Sequence, residues 1–312
     1  MTTPRPATGG AGDRVLTPLR NRLIETLAGR SDEVPAWVLR LEFGEDEGFF
    51  APGSASWAVH GGMPTLVAGV RALLLQALHP GALAGVRDHS RYREDPLGRL
   101  AGTIQWIHTV TFGSREQAVQ GSDMVRSLHR KVVGTYIDGH GRERPYSADD
   151  PELARWVHLA FTDAFLTAHE QWGDPIPGGA DGYVAEWATA AGLMGVEDAP
   201  RTAAELRAEI DAVTDAGDLR GGPEVEEIVR FIRRAPLRRM LRPSYRVLFR
   251  AAVSTLEPRH RALLGLPPTT AERMLPLHAA TGAVLSGARV LLGPQTQAEL
   301  AARRRLARLA AS

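Results

Sequence analysis

Apolar residues recur three and four positions apart along most of this 312-residue chain, and sustained apolar–polar alternation is scarce. That period is typical of amphipathic helices rather than of strands. The pattern predicts helices over residues 15–27, 64–78, 81–88, 96–112, 114–133, 151–168, 183–191, 202–216, 225–234, 237–254, 259–264, 270–292 and 295–309. We therefore expect one all-α domain over residues 14–312, preceded by a short disordered leader over residues 1–13.

Two segments interrupt the helical pattern. Residues 31–60 are punctuated by proline and glycine, with aromatic residues between them, which predicts a long loop packed over the core or acting as a lid. Residues 134–149 are rich in turn-forming residues and predict a short hairpin.

Several predicted helices begin with residues that commonly cap a helix N-terminus. Ser114 is placed to act as an N-cap, and Asp149 or Asp150 could cap the helix that begins at Pro151. Thr202 precedes Glu205 by three residues, which is the spacing of a capping box.

The amino-acid composition excludes several kinds of catalytic and metal site but says little about the fold. The absence of cysteine excludes disulfides, cysteine nucleophiles, iron–sulfur clusters and thiolate-bound heme or zinc. Any metal must then be held by His, carboxylate, Tyr or Met. The 37 basic and 36 acidic residues give a formal charge of +1, so we expect no nucleic-acid partner. A hydrophobic content of 44% is ordinary for a soluble protein with a sizeable core.

The N-terminal residues lack the apolar region of a secretory signal. The longest apolar run, residues 66–86, is interrupted by Arg71, Gln76, His79 and Pro80, and we do not expect it to span a bilayer. These features favour a cytoplasmic protein without a transmembrane segment. Peripheral membrane contact remains open, although the basic helix over residues 295–309 is more typical of a solvated or docking helix than of an anchor.

Polar chemistry is densest over residues 73–108, which contain three histidines, four arginines and a tyrosine between strongly apolar segments. Such a segment is typical of a pocket wall. Within it, Arg99 and Thr103 lie one turn apart on a helical stripe that continues to Trp106. The alternative is that Arg99 pairs with a neighbouring acid and that Thr103 bonds its own backbone.

Two histidines fall on apolar faces of predicted helices. His129 is near Val125 and Val133, and His158 is near Phe161 and Thr162. A single histidine in such a place is usually a hydrogen-bonded core residue. Two of them on neighbouring helices also indicate a cofactor site, because imidazole is the ligand available for heme iron in a chain without cysteine. The second histidine could then orient the first ligand or a propionate.

Other motifs are less informative. His79 precedes Pro80 at a helix junction, and His89 begins a polar turn, so both could line a pocket rim or simply cap a helix. HExxH is absent, and the single ExxH, at Glu257–His260, is too little for a di-iron bundle site. No GxSxG elbow occurs, nor does a GxGxxG loop after a strand.

Three blocks resemble a known family: LLLQALHPGALAGVRDHSRYREDPLGRLAGT, LHRKVVG and YSADDPELARWVHLAFTDAFL. They are similar to a bacterial family that shares its catalytic domain with the latex-clearing protein, a rubber oxygenase, and with the fungal membrane-bound oxygenase of mycophenolic acid biosynthesis. The resemblance is strongest over residues 45–250. It implies an all-helical fold and, from the rubber oxygenase, a b-type heme with one histidine ligand and oxidative cleavage of an isoprenoid double bond.

The resemblance assigns roles to five residues. Arg99 and Thr103 match the family's R-x-x-x-T pair near the heme, and they are the candidate catalytic residues as well as candidates for cofactor binding. His129 matches the histidine that binds the iron. His158 matches a supporting histidine of the heme pocket. His79 matches the histidine of an HP motif and is a further candidate for cofactor binding, although the resemblance defines its role less closely.

The chain also departs from the rubber oxygenase. The lysine that directly precedes the family threonine is replaced by Gly102, and Leu83 falls near the expected place of a catalytic glutamate. Both departures put rubber cleavage itself in doubt and leave the heme pocket in place.

The leading hypothesis is a heme-b-dependent oxygenase that uses O2 or peroxide on an apolar, isoprenoid or alkene-containing substrate. A second is a non-catalytic protein that binds heme, a lipid or a pigment in the same pocket. A third is another class of enzyme, either a cofactor-free hydrolase or a non-heme iron protein that uses a histidine with Asp163.

Overall fold

Fourteen helices and one two-stranded hairpin make up the part of the chain that the computed structural model describes, residues 34–89, 96–268 and 271–312. The helices are α1 (Ala36–Arg40), α2 (Ala55–Gly61), α3 (Thr65–Gln76), α4 (Pro80–His89), α5 (Pro96–Phe112), α6 (Arg115–His129), α7 (Pro151–Trp172), α8 (Gly179–Leu193), α9 (Ala203–Asp215), α10 (Pro223–Arg233), α11 (Arg242–Ser254), α12 (Pro258–Leu263), α13 (Ala271–Leu292) and α14 (Gln297–Ala311). The all-α prediction is confirmed. The predicted leader over residues 1–13 and the predicted helix over 15–27 lie outside the described residues.

The central packing in the fold is between α3 and α7. Both helices are buried over most of their length, α3 through residues such as Leu74 and α7 through residues such as Leu159. An ion pair between Arg71 and Asp163 joins the two helices; the arginine is only 4% exposed. This pair, placed within an otherwise apolar contact, fixes how the two helices lie against each other.

Helices α5 and α6 form an antiparallel pair joined by a tight turn. Ser114 caps α6 as predicted: its side chain accepts from the Gln117 backbone N–H, and the Gln117 side chain bonds back to the Ser114 backbone. Across the pair, Trp106 Nε1 donates to Ser122 Oγ at 3.1 Å. The two helices are therefore held in a defined register.

The capping signals at two other helices are also confirmed. Asp150 caps α7 by accepting from the Glu152 backbone N–H, and Thr202 and Glu205 form the capping box of α9. The predicted hairpin is present as β1 (Val133–Ile137) and β2 (Glu143–Ser147), which pair antiparallel.

Three sequence predictions were wrong. The helix predicted over 237–254 begins only at Arg242, because residues 237 and 238 are irregular and residues 239–241 form a turn. The segment 31–60 is not irregular throughout, because it contains α1 and α2; Ser54 caps α2 by accepting from the Trp57 backbone N–H. The helix predicted over 114–133 ends at His129 instead. It stops there because the following residues turn into the hairpin, where the Val132 carbonyl accepts from Ala148 N at 2.9 Å.

The C-terminal helices differ in how they are covered. Helix α14 is anchored by Arg305, which is fully buried and donates to the carbonyls of Leu41 and Phe112. Helix α13 packs on α11 but leaves most of its surface exposed. Among the described residues, Leu275–Leu292 is the helical span that is long and apolar enough to cross a bilayer, by length and composition alone. Helices α2 and α3 would pass the same test only as a single span bent by 91°.

Candidate functional site

The register of α5 and α6 brings three of the predicted site residues to one end of the helix pair. Gly121 lies against the Thr109 methyl group, and Trp106 bonds Ser122. Each residue adds about 1.5 Å along a helix. The residues one to two turns before Trp106 on α5 are therefore level with the last turns of α6. Thr103 and Arg99 therefore lie at the same end of the pair as His129.

Two of these three residues can be described in more detail. His129 is the last residue of α6 and is half-buried, whereas Thr103 is exposed. Arg99 belongs to α5 by its backbone, but its side chain lies outside the described part of the structure. The two predicted catalytic residues are thus placed on one helix, and the predicted iron ligand is placed on its partner.

Asp149 ties this end of the helix pair to the start of α7. Its carboxylate lies 3.4 Å from Arg126 Nε and 3.7 Å from a terminal nitrogen of Arg130. Both arginines flank His129 in sequence, and Asp149 directly precedes the residue that caps α7. The end of α6 is therefore held near the first turns of α7.

His158 lies two turns into α7 and is buried. Its Nε2 is 3.4 Å from Thr162 Oγ1, and the Thr162 hydroxyl donates to the backbone carbonyl of His158 at 2.7 Å. Burial, assisted by the charge of Arg155, lowers the pKa of His158 to about 4. The imidazole is consequently neutral at physiological pH, as expected for a packed supporting histidine.

His79 stands at the junction between α3 and α4. Its Nδ1 accepts from the Gly81 backbone N–H at 3.2 Å, so one ring nitrogen caps α4. Its ring lies 6.4 Å from the Trp156 ring and 6.2 Å from the Tyr136 ring. Burial lowers the pKa of His79. His79 therefore packs on α7 through Trp156, which is two positions before His158 in the sequence. A purely structural role as the cap of α4 is the alternative to cofactor binding.

Large apolar side chains are exposed around the end of α6. Met124 and Leu128 on α6 are 66% and 56% exposed, and Val133 at the start of β1 is 53% exposed. We call these three residues the apolar rim. Exposed apolar side chains grouped on neighbouring elements are typical of a surface that a ligand or partner covers.

Sequence reasoning missed a buried polar cluster at the centre of the fold. His60 Nε2 lies 2.9 Å from the Tyr183 hydroxyl, and His60 Nδ1 lies 3.2 Å from the Thr111 hydroxyl. The His60 ring also packs 4.1 Å from the Trp187 ring. Burial holds the pKa of His60 well below its usual value and that of Tyr183 well above. Because both ring nitrogens of His60 have partners, this histidine is a core residue and not a candidate ligand.

No local signal could have revealed that cluster, since His60 and Tyr183 are 123 positions apart. The same applies to His108, which lies 6.0 Å from the Trp37 ring and whose pKa burial lowers to about 4. Asp163, considered above as a ligand for non-heme iron, is instead paired with Arg71.

The residues that the structure describes contain no cluster of three or more His, Asp or Glu side chains able to hold a metal ion. Heme needs only a single protein ligand, so that finding does not bear on His129. Two open clefts of about 310 and 400 Å³ are lined respectively by residues around Leu306 and around Val196. Neither includes a predicted site residue.

Comparison with known proteins gives one match. The family model described as "ER-bound oxygenase mpaB/B'/Rubber oxygenase, catalytic domain" matches residues 57–287. The matched span runs from α2 into α13 and includes all five predicted site residues. No curated protein and no solved structure matches the chain.

Proposed function

The chain belongs to the family of mpaB-type ER-bound oxygenases and rubber oxygenases, and from that membership we propose a heme-b-dependent oxygenase of an apolar, alkene-containing substrate. One observation supports the proposal most directly. His129 ends α6 beside the apolar rim, and the same end of the α5–α6 pair holds Thr103.

The residues present fit a heme group. His129 would bind the iron through its imidazole, which is the ligand type that a chain without cysteine can offer. Exposed apolar residues close to His129 in the chain, such as Leu128 and Val133, would lose contact with water when a group is bound there. When bound, heme would supply iron that activates O2 or peroxide.

The remaining residues would bind, orient and exclude water. Arg99 would pair with a propionate, since a guanidinium matches a carboxylate with two hydrogen bonds. The Thr103 hydroxyl, which is exposed on α5, would donate a hydrogen bond to the bound group or to its substrate. His158, neutral at physiological pH, would support the pocket from α7 through its hydrogen bond with Thr162.

The two departures from the rubber oxygenase favour a substrate other than rubber. Gly102 is exposed and leaves open space where a lysine side chain would extend. Leu83 is buried in the core against neighbouring apolar residues, so it offers no carboxylate that could move a proton. We propose a smaller isoprenoid or other alkene, which an open face of α5 would admit.

The same departures favour a second candidate function, a non-catalytic protein that binds heme or a lipid. A chain that binds heme iron through His129 but lacks the glutamate could hold heme without turnover. The two candidates differ only in whether bound heme consumes oxygen in the presence of an alkene such as squalene or farnesol.

The test is an absorption spectrum of protein expressed with excess heme. We expect a Soret band, and we expect His129→Ala to lose heme or shift that band. His140→Ala is the matched control, because His140 is an exposed histidine in the turn between β1 and β2, where it pairs with Asp218. Stoichiometric heme with an unchanged spectrum in His129→Ala would refute the ligand assignment. Oxygen uptake with an alkene then separates the oxygenase from the binding protein.

A further inference from the structure

Positive charge is concentrated in one part of the chain. Residues 228–256 contain eight arginines and no acidic residue. All eight are exposed: Arg230, Arg233, Arg234, Arg238, Arg239, Arg242, Arg246 and Arg250. Because the whole chain has 37 basic and 36 acidic residues, the rest of it is net acidic. The overall charge of +1 does not show this uneven distribution of charge along the chain.

At least five of these eight arginines pair with no carboxylate among the described residues. Arg230 lies 3.7 Å from Glu226, and Arg242 donates to the carbonyl of Leu237. Within the described part of the chain, Arg239, Arg246 and Arg250 pair with no carboxylate, and the same is true of Arg233 and Arg234. On α11, Arg242, Arg246 and Arg250 follow one another at four-residue spacing and form a stripe along one face. The surface therefore has a strong positive potential.

An uncovered apolar helix lies next to the arginine stripe. Helix α13 packs on α11 and is buried at Thr281, Leu285 and Ala288. Leu275 and Val290 on α13 are 81% and 74% exposed. No Asp, Glu, Lys or Arg occurs from Leu275 to Ala288. We call the arginines of residues 228–256 together with the exposed face of α13 the α10–α13 surface.

We propose that the α10–α13 surface binds a bilayer that contains anionic lipids. The arginines would contact lipid phosphates, and the exposed face of α13 would enter the boundary between headgroups and acyl chains. Helix α13 lies on the membrane in this arrangement and does not cross it, because Thr281, Leu285 and Ala288 remain packed on the protein.

Two other partners fit the surface less well. A nucleic acid would neutralise the arginines but would leave Leu275 and Val290 exposed to water or against charged phosphates. A second copy of the chain, joined about a two-fold axis, would bring two sets of arginines together and repel. A lipid surface satisfies both the charge and the apolar face.

The charge is tested by co-sedimentation of heme-free protein with vesicles of phosphatidylcholine, with and without phosphatidylglycerol. We expect binding only to the anionic vesicles, and weaker binding as salt is added. Each arginine near a headgroup contributes about fivefold in affinity, so Arg242→Gln, Arg246→Gln and Arg250→Gln together should weaken binding by about a hundredfold. The matched control replaces Arg40, Arg201 and Arg207, which are exposed elsewhere, by glutamine.

The apolar face is tested in the same assay. Leu275→Gln with Val290→Gln should weaken binding to anionic vesicles severalfold, while Leu39→Gln with Ile137→Gln should not, because Leu39 and Ile137 are exposed on other elements. All substituted residues are exposed, and the circular dichroism of each variant confirms that it is folded.

Four results would overturn the proposal. They are equal binding to neutral vesicles, equal loss in the arginine variant and its control, a dimer in sedimentation whose formation requires Leu275 and Val290, and stronger binding to random duplex DNA than to anionic vesicles. None of these measurements depends on heme or on turnover. The membrane proposal can therefore be refuted without refuting the proposed function, and the reverse also holds.

Discussion

The Nε2 atom of His60 lies 2.9 Å from the hydroxyl oxygen of Tyr183, and both side chains are buried between α2 and α8. Thr111, from α5, occupies the other ring nitrogen of His60. One imidazole thus links three helices that are far apart in the sequence. A buried polar group that has both partners stabilises a specific arrangement, and one that loses a partner is costly.

Tyr183→Phe should therefore lower the free energy of unfolding by about 1–3 kcal/mol, because the His60 nitrogen would be left unpaired away from water. Urea unfolding at neutral pH measures the change. The control is Tyr136→Phe, which removes a half-exposed hydroxyl that makes no hydrogen bond within the described part of the structure. An equal effect of the two substitutions would show that the hydrogen bond contributes nothing specific.

Stability should fall as the pH falls from about 6.5 toward 4. The pKa of His158 is about 4 in the folded protein and 6.5 is its ordinary value, so below pH 6.5 the unfolded chain binds a proton that the folded protein does not. The loss from this residue is about 1.4 kcal/mol per pH unit, up to about 3 kcal/mol at pH 4. His60, whose pKa burial also lowers, acts in the same direction.

Urea midpoints of the heme-free protein across this pH range measure the effect, and the His158→Gln variant isolates one residue. Glutamine retains a hydrogen-bonding group beside Thr162 but does not titrate. The variant should show a shallower pH dependence than the wild type. An unchanged slope would mean that His158 takes up its proton in the folded protein.

Breaking the Arg71–Asp163 ion pair should lower the stability of the protein more than either change above. Asp163→Asn should destabilise the protein by about 3–5 kcal/mol, because it leaves a buried guanidinium without its counter-ion. Arg71→Leu combined with Asp163→Leu should cost much less than Asp163→Asn alone. If the double variant were the less stable of the two, the pair would be a net source of stability and not only of specificity.

That substitution also tests a role for Asp163 in binding iron. An aspartate held by Arg71 is not available as a metal ligand, so Asp163→Asn should leave the iron content per folded molecule unchanged. Iron that disappears from folded Asp163→Asn protein would revive the non-heme alternative.

Gly102 offers a stabilising substitution. It is exposed inside α5, and a Cβ at this position would meet no atom within 4 Å. Gly102→Ala should therefore stabilise the protein by about 0.5–1 kcal/mol through helix propensity. Gly81→Ala is the control, because a Cβ there would lie 3.0 Å from Leu153 and 3.1 Å from Tyr136. The midpoint of thermal unfolding should be higher for Gly102→Ala than for the wild type, and for Gly81→Ala it should be equal to or lower than that of the wild type.

Local features of the fold were predictable from the sequence because local interactions determine them. The bounds of α5, the caps at Ser114 and Thr202 and the hairpin after α6 follow from apolar period, capping chemistry and turn residues. The end of α6 was not predictable from the sequence, because Val132 and Val133 fit a helical pattern as well as they fit a strand. Tertiary pairing with Ala148 decides between the two.

The candidate site was predictable only in part, because tertiary packing and not local sequence decides which side chains meet. Arg99, Thr103 and His129 could be selected by residue type and by resemblance, and the packing of α5 on α6 places them at one end of the pair. Their roles remain predictions. The partners of His60 and Arg71 are 123 and 92 positions away in sequence, and nothing near either residue indicates them.

The contacts of Arg305 show that the folding unit is larger than the span shared with the family. Its guanidinium binds the carbonyl of Leu41, before that span, and the carbonyl of Phe112, at the end of α5, while Arg305 itself lies beyond residue 287. A fragment limited to residues 57–287 would lack both α14 and its packing partner α1, and it would leave the Phe112 carbonyl without this donor. Limited proteolysis of the full chain should therefore protect α14 together with α5, and not release it as a tail.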